Sequence, residues 1–183
     1  MNAPRDFIAI ACETTGLDIC SSRVVELGCI EVGDGELTGR HLHAVINPEM
    51  LDQHQMSTEF HGLSSATLDK ANPFSKHASQ FVELISGRTV VLAGSTVDHV
   101  FFDAELARAG FPPLSSIAES VIDGPLLLKG AESARGAARH PITTPGKIAL
   151  ALSAAEQAAM AVIAILSPSP SIAHESSVNR PSR

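Results

Sequence analysis

The fold is decided by residues 6–46, which read DFIAIACETTGLDICSSRVVELGCIEVGDGELTGRHLHAVI. Three stretches rich in apolar and β-branched residues are separated by short loops, a pattern typical of strands joined by turns. These stretches are Asp6–Ala11, Arg23–Gly33 and Glu36–Ile46. Gly33-Asp34-Gly35 predicts a tight hairpin turn between the second and third of them. The segment therefore predicts an antiparallel meander.

The periodicity changes to that of a helix after the meander. Apolar side chains at helical spacing predict a helix over Phe74–Gly87, and TVDHVFFDAELARA predicts another over Thr96–Ala109. Short strands are predicted at Arg88–Ala93 and around Ile117–Ile122. A three-stranded meander followed by alternating helices and strands indicates an α/β domain with a mixed sheet.

Length, charge and cysteine content narrow the class of protein. The chain has 183 residues, 44% of them apolar, which is enough to bury a core, and the net charge is −7. This charge argues against binding of nucleic acid by a broad cationic face, but not against a small cleft that reaches it through metal ions. Three cysteines without a C-x-x-C pair indicate neither a disulfide framework nor a zinc site.

The C-terminal third contains the one segment that is long and apolar enough to be considered as a membrane anchor. This segment, residues 148–166, carries Glu156 and Gln157 near its middle, which disfavours a membrane-tethered protein and predicts a helix packed on the core. The Ser/Pro-rich residues 167–183 are predicted to form a disordered tail after a domain over residues 1–166. The N-terminus has no signal-peptide pattern, so a cytoplasmic location without a membrane partner is expected.

Five local patterns occur in an order that is similar to one enzyme family. They are IACETTGL at 10–17, VVELG at 24–28, INP at 46–48, FHGL at 60–63 and STVDHVFF at 95–102. Together they resemble the DnaQ-like 3′–5′ exonucleases, whose first signature is D-x-E-T-T-G-L, and within that family the epsilon proofreading subunit of bacterial DNA polymerase III. The resemblance implies an RNase H-like fold with a mixed five-stranded sheet flanked by helices.

The resemblance also implies a chemistry and a set of partners. Family enzymes hydrolyse the terminal phosphodiester with two Mg²⁺ or Mn²⁺ ions, which four carboxylates hold while a histidine acts as general base. Two carboxylates spaced D-x-E on one strand point to the same face because side chains alternate along a strand. The implied partners are single-stranded or 3′-terminal nucleic acid and a DNA polymerase.

Mapped residue by residue, the chain departs from this pattern at the metal site. Glu13 and Asp98 match the second and third carboxylates, whereas Ala11 stands where the first Asp belongs. The terminal His and Asp fall on Ile148 and Ser153 in one register, or on Leu150 and Ala155 in another. The mapping predicts weak or absent binding of Mg²⁺ or Mn²⁺ at Glu13 and Asp98, and very low activity.

Other residues of the motifs have expected roles as well. The resemblance assigns substrate binding to Thr14, Thr15, Gly16 and His61. An alternative hypothesis is an active Mg²⁺- or Mn²⁺-dependent exonuclease in which other side chains replace the missing ones. The candidates for this replacement are Glu156, Asp6, Asp18, His61 and His140. His41 and His43 lie on one side of a predicted strand and are interpreted as surface histidines.

Overall fold

The structure, a computed structural model, describes residues 4–49, 61–94, 96–135 and 150–166. Its strands are β1 Phe7–Thr14, β2 Val24–Gly33, β3 Glu36–Asn47, β4 Asn72–Pro73, β5 Thr89–Leu92 and β6 Ser120–Asp123. Its helices are α1 Ser65–Leu68, α2 Phe74–Ile85, α3 Thr96–Arg108, α4 Leu114–Ile117, α5 Gly124–Arg135 and α6 Leu150–Leu166. The predicted tail, residues 167–183, lies outside the described residues.

The strands form one mixed sheet in the order β4-β3-β2-β1-β5-β6. Strands β1, β2 and β3 make the predicted antiparallel meander, and β1 lies in the middle of the sheet beside the parallel strand β5. The mixed α/β architecture is confirmed, but the predicted number of five strands is wrong. The additional strand, β4, pairs only Asn72 and Pro73 with β3 and is too short to leave a pattern in the sequence.

The turn between β2 and β3 is the one that the sequence predicts. Asp34 and Gly35 both have positive φ angles, 54° and 81°, as a two-residue turn matching the twist of a hairpin requires. Asp6 accepts a hydrogen bond from the Asp34 N–H at 2.8 Å, and Arg5 donates to the Asp34 carbonyl. The start of β1 therefore fastens the hairpin next to it.

Each face of the sheet has its own apolar core. On one face, alternate β1 residues Ile8 and Ile10 pack with α2, α3 and α4. Helix α2 presents Phe74, Ala78, Phe81, Leu84 and Ile85 to this core at helical spacing. Phe81 stacks on Phe102 of α3 with ring centroids 5.3 Å apart.

The other face is covered by α6, whose buried stripe is mostly alanine. Ala151, Ala155, Ala159 and Val162 pack against Phe7, Ala9 and Ala11 of β1 together with Val32 and Val91. At Gly28 of β2, a Cβ atom would collide with the backbone of Ala151 and Leu152, so the helix lies directly on the strand. The predicted packed helix is thus observed, and no described helix is long and apolar enough to cross a membrane.

Candidate nucleic-acid cleft and its carboxylates

A cleft of about 170 Å³ opens at the C-terminal end of β1, where the strand continues into the loop before β2. Its lining consists of Cys12, Glu13, Thr14, Gly16, Leu17, Asp98 and Phe101. Glu13 and Asp98, the two carboxylates that the sequence assigns to metal binding, are therefore brought together on one cleft. Strand β1 supplies the first and the first turn of α3 supplies the second.

Two backbone N–H groups hold the Asp98 carboxylate. Its carboxylate accepts a hydrogen bond from the Gly94 N–H at 3.2 Å and another from the Cys12 N–H. A Cβ on Gly94 would lie 2.5 Å from Asp98 Oδ2, so the close approach depends on the glycine. Burial raises the pKa of Asp98 to about 6, although these two N–H donors act in the opposite direction.

Glu13 lies where a negative charge is unfavourable. Its Cα partner across the sheet is Glu26 of β2, so two acidic side chains stand directly opposite each other. Burial, together with the charges of Glu26 and Asp98, raises the pKa of Glu13 to about 7. Burial and the two neighbouring acidic groups therefore favour the neutral form of the Glu13 carboxyl group.

Glu26 is a residue of this region that the sequence analysis missed as a candidate. Its side chain is 1% exposed, and His43 Nε2 of β3 lies 2.7 Å from Glu26 Oε1. The Ala151 N–H, in the first turn of α6, donates to Glu26 Oε2 at 3.3 Å. The available signal was a lone acidic residue inside the apolar run VVELG. His41 and His43 are both exposed, as their interpretation as surface histidines predicts, although the His43 ring also contacts Glu26.

The threonines of the first motif hold the loop in shape. Thr15 is 4% exposed, and its hydroxyl accepts a hydrogen bond from the Arg23 N–H at 3.0 Å. The Thr14 hydroxyl donates to the Gly16 carbonyl at 2.7 Å. Of the residues that the sequence assigns to substrate binding, Thr14 and Gly16 line the cleft, whereas the Thr15 hydroxyl faces the protein interior.

A buried ion pair fixes this loop to α3. Arg23 donates from Nε and from its terminal nitrogen to the two oxygens of Glu105, at 2.6 and 2.9 Å. Such a fork of two parallel bonds defines both distance and orientation. The pair thereby sets the position of the loop after Glu13 relative to the helix that carries Asp98.

His61, the fourth residue assigned to substrate binding, is 1% exposed and is not part of the cleft lining. Its Nδ1 accepts a hydrogen bond from the Leu63 N–H at 3.1 Å. Its Nε2 is buried and has no hydrogen-bond partner within the described ranges. Burial lowers the pKa of His61, and the charge of Glu26 partly offsets this effect.

Of the positions mapped to lost catalytic residues, the described ones lie on β1 and on α6. Ala11 is 2% exposed and packs in the same cluster as Ala155 of α6. Ser153 is half-buried on that helix, whereas Ile148 lies outside the described residues. Leu150, the partner of Ala155 in the alternative register, begins the helix.

The candidate replacements are dispersed. Glu156 is exposed on α6 and does not line the cleft. Asp6 accepts from the β2–β3 turn at the far end of β1, and Asp18 accepts from Cys20 and Ser21 within its own loop. His140 lies outside the described residues. Among the residues that the structure describes, no group of three or more His, Cys, Asp or Glu side chains is placed to hold a metal ion.

Comparison with known proteins identifies the family. A model of the Exonuclease family matches residues 8–134. DNA polymerase III subunit epsilon of Rickettsia typhi is 34% identical over 108 residues, which cover 58% of this chain and 46% of that protein. The same subunit of Escherichia coli K12 is 27% identical over 105 residues, covering 55% and 43%. The chain thus matches less than half the length of these curated relatives.

Solved structures share the fold at low sequence identity. The zinc-bound complex of Escherichia coli exonuclease I with single-stranded DNA has a TM-score of 0.66 at 14% identity, covering 88% of this chain and 39% of that one. A 3′-exonuclease that recognises a histone mRNA stem-loop has a TM-score of 0.58 at 13% identity, covering 88% and 81%. The RNase H-like fold is confirmed. The chain belongs to the exonuclease family and is DnaQ-like.

Replacing Glu13 by Gln is expected to stabilise the chain at pH 8 and to have little effect at pH 4. The folded-state pKa of about 7 exceeds the ordinary value of 4.5, so the wild type loses stability as the pH rises through this window. The gain at pH 8 is expected to be about 1–2 kcal/mol, because solvent screens this half-buried side chain.

Urea unfolding at the two pH values measures the effect of Glu13→Gln. The matched control is Glu83→Gln on the exposed side of α2, which is expected to change the unfolding free energy little at either pH. A Glu13→Gln variant that is no more stable than the wild type at pH 8 would contradict the raised pKa of the Glu13 carboxyl group.

Proposed function

We propose that this chain is a DnaQ-like exonuclease-family protein whose cleft receives a nucleic-acid 3′ end but hydrolyses it very slowly or not at all. The observation that carries the proposal is Ala11, which packs under Ala155 of α6 at the position of the first family carboxylate. Two carboxylates, Glu13 and Asp98, face the cleft. Two Mg²⁺ ions are commonly held by more oxygen ligands than this pair supplies, so the donor set does not fit a two-ion centre.

The proposed binding mode follows from the shape of the cleft. The end of β1 and the first turn of α3 form its two sides, and the exposed apolar side chain of Leu17 lies at its edge. With a net charge of −7, the chain has little general attraction for a phosphate backbone. We therefore propose weak, salt-sensitive binding of a single-stranded or 3′-terminal segment rather than tight binding along a duplex.

The remaining parts of the proposal concern the partner of the protein, its cellular location and the alternative function. The polymerase III epsilon relatives support a DNA polymerase as partner, and a proofreading context, for a protein that works in the cytoplasm. The alternative function is an active Mg²⁺- or Mn²⁺-dependent 3′–5′ exonuclease with replaced ligands. The observation that favours this alternative is the retention of Glu13 and Asp98 on one cleft.

The test is release of nucleotides from a 3′-labelled single-stranded oligonucleotide, with Mg²⁺ and separately with Mn²⁺. Removing one electrostatic or acid–base contributor commonly lowers a rate by about 10²–10⁴, and such losses are not additive. We therefore expect metal-dependent release by the wild type to be no faster than release by the Glu13→Ala control. Turnover of about one per second that Glu13→Ala abolishes would establish the alternative function instead.

A binding measurement distinguishes a loss of hydrolysis from a loss of nucleic-acid binding in the cleft. Fluorescence anisotropy with the same oligonucleotide is expected to show binding that weakens as the salt concentration rises. Leu17→Asp places a negative charge at the edge of the cleft and is expected to weaken binding. Equal binding by the wild type and by Leu17→Asp would contradict the proposed location of the nucleic acid.

A further inference from the structure

The buried carboxylate of Glu26 has a set of contacts that the proposed chemistry does not use. Among the residues whose side chains the structure describes, Glu26 and Glu105 are the two glutamates that are 1% exposed. Glu105 is bound by Arg23 and Arg108, as a buried anion requires. Glu26 has no arginine or lysine partner among the described contacts. Its neighbours are the His43 ring and the Ala151 N–H.

The position of the Ala151 N–H explains why it donates to a side chain from another element. Ala151 lies in the first turn of the described helix, Leu150–Leu166, and the N–H groups of a first helical turn are available to acceptors from other elements. The first turn also carries the positive end of the helix dipole, which stabilises a nearby carboxylate. Glu26 thus does for α6 what a capping side chain does within a helix, although it is 125 residues away in the sequence.

The packing beside this contact explains why an anchor is needed. The buried stripe of α6 consists of Ala151, Ala155, Ala159 and Val162, and alanine buries little apolar area per residue. Gly28 lies two residues after Glu26 on the same face of β2. There the α6 backbone lies so close to the strand that a Cβ atom on Gly28 would not fit between them. The helix therefore gains little from side-chain burial at its first turn, and a directional contact there has a large relative effect.

We infer that Glu26, supported by His43, is a positioning residue that anchors the first turn of α6 on β2. His43 holds the carboxylate from one side at 2.7 Å, and α6 occupies its other oxygen. Because this contact lies within the chain itself, the inference does not depend on whether the cleft binds metal or hydrolyses nucleic acid. It predicts that loss of Glu26 loosens the beginning of α6 before the rest of the fold.

Hydrogen–deuterium exchange resolved by segment tests the inference on the full chain. Glu26→Ala is expected to accelerate exchange in the first turns of α6 by roughly tenfold or more, because a charge-assisted contact is lost. The matched control is Glu105→Ala, which removes the other deeply buried glutamate and is expected to accelerate exchange in α3 and at the start of β2. Equal acceleration in α6 by the two variants, or none by Glu26→Ala, would overturn the inference.

Two milder variants keep the test valid if Glu26→Ala does not fold. Glu26→Gln retains an acceptor oxygen for Ala151 and loses the charge, so a smaller acceleration in the same segment is expected. His43→Gln removes the supporting ring and is expected to affect that segment as well. If both variants exchange like the wild type throughout α6, the anchoring role is refuted.

Discussion

Ala11→Asp is expected to lower the free energy of unfolding by about 3 kcal/mol or more, without restoring nuclease activity. The variant recreates the D-x-E spacing with Glu13, but Ala11 is buried against the alanine face of α6. A carboxylate introduced there loses its hydration, and Glu13 and Glu26 already crowd this face with negative charge. The destabilisation should therefore increase as the pH rises.

The Ala11→Asn variant separates the charge of the new side chain from its size, and two measurements with Mg²⁺ test whether the metal centre is restored. Ala11→Asn has nearly the same shape as Ala11→Asp without the charge, so the difference between their unfolding free energies should grow between pH 5 and pH 8. Nucleotide release by Ala11→Asp with Mg²⁺ should stay at the level of the wild type. An Ala11→Asp protein that 10 mM Mg²⁺ stabilises strongly, and that then releases nucleotides, would show that a single carboxylate restores the centre.

Gly28→Ala is expected to displace α6 from the sheet and to lower the unfolding free energy by about 3 kcal/mol. The added Cβ would overlap backbone atoms of Ala151 and Leu152, which cannot rotate away as a side-chain end can. For a chain of this length, the loss corresponds to a drop in Tm of roughly 6–12 °C. Nucleotide binding in the cleft should change much less, because α6 does not line the cleft.

Gly33→Ala is the matched control for Gly28→Ala. It adds the same methyl group to the same strand, but its Cβ would meet side-chain atoms alone, the Thr38 methyl group at 3.1 Å, which can shift, and Asp6 Oδ1 at an ordinary contact distance of 3.9 Å. Differential scanning calorimetry of both variants measures the contrast. Similar Tm values for Gly28→Ala and Gly33→Ala would mean that α6 does not lie against β2 as closely as described.

Local sequence patterns are sufficient to predict the meander, its turn and two of the helices that follow it. The meander, its Asp34-Gly35 turn and helices α2 and α3 follow from alternation, turn chemistry and helical spacing, and their observed bounds differ from the predicted ones by a few residues. Strand β4 could not be predicted, since two residues carry no periodicity. Its pairing with β3 depends on where α2 begins in space.

In the candidate site too, motif spacing predicted some residues, whereas contacts that depend on tertiary packing were missed. The motif spacing placed Glu13 and Asp98 as candidates for one site, and both line the cleft. The pairing of Glu26 with His43 was missed because it joins residues on two strands and depends on burial by α6. His61 was assigned to substrate binding, but it is buried outside the lining of the cleft, because its neighbours are set by packing that its motif does not encode.

The covering of β1 and β2 by α6 has a consequence for the order of events during synthesis on the ribosome. Glu26 and Ala151 are separated by 125 residues, so at about 5–20 residues per second the helix emerges roughly 6–25 s after the strand it covers. Hairpins form within microseconds, so the meander can pair long before then. During that interval Phe7, Ala9 and Ala11 face water. The nascent chain then presents an exposed apolar sheet surface, which chaperones or other nascent chains can contact.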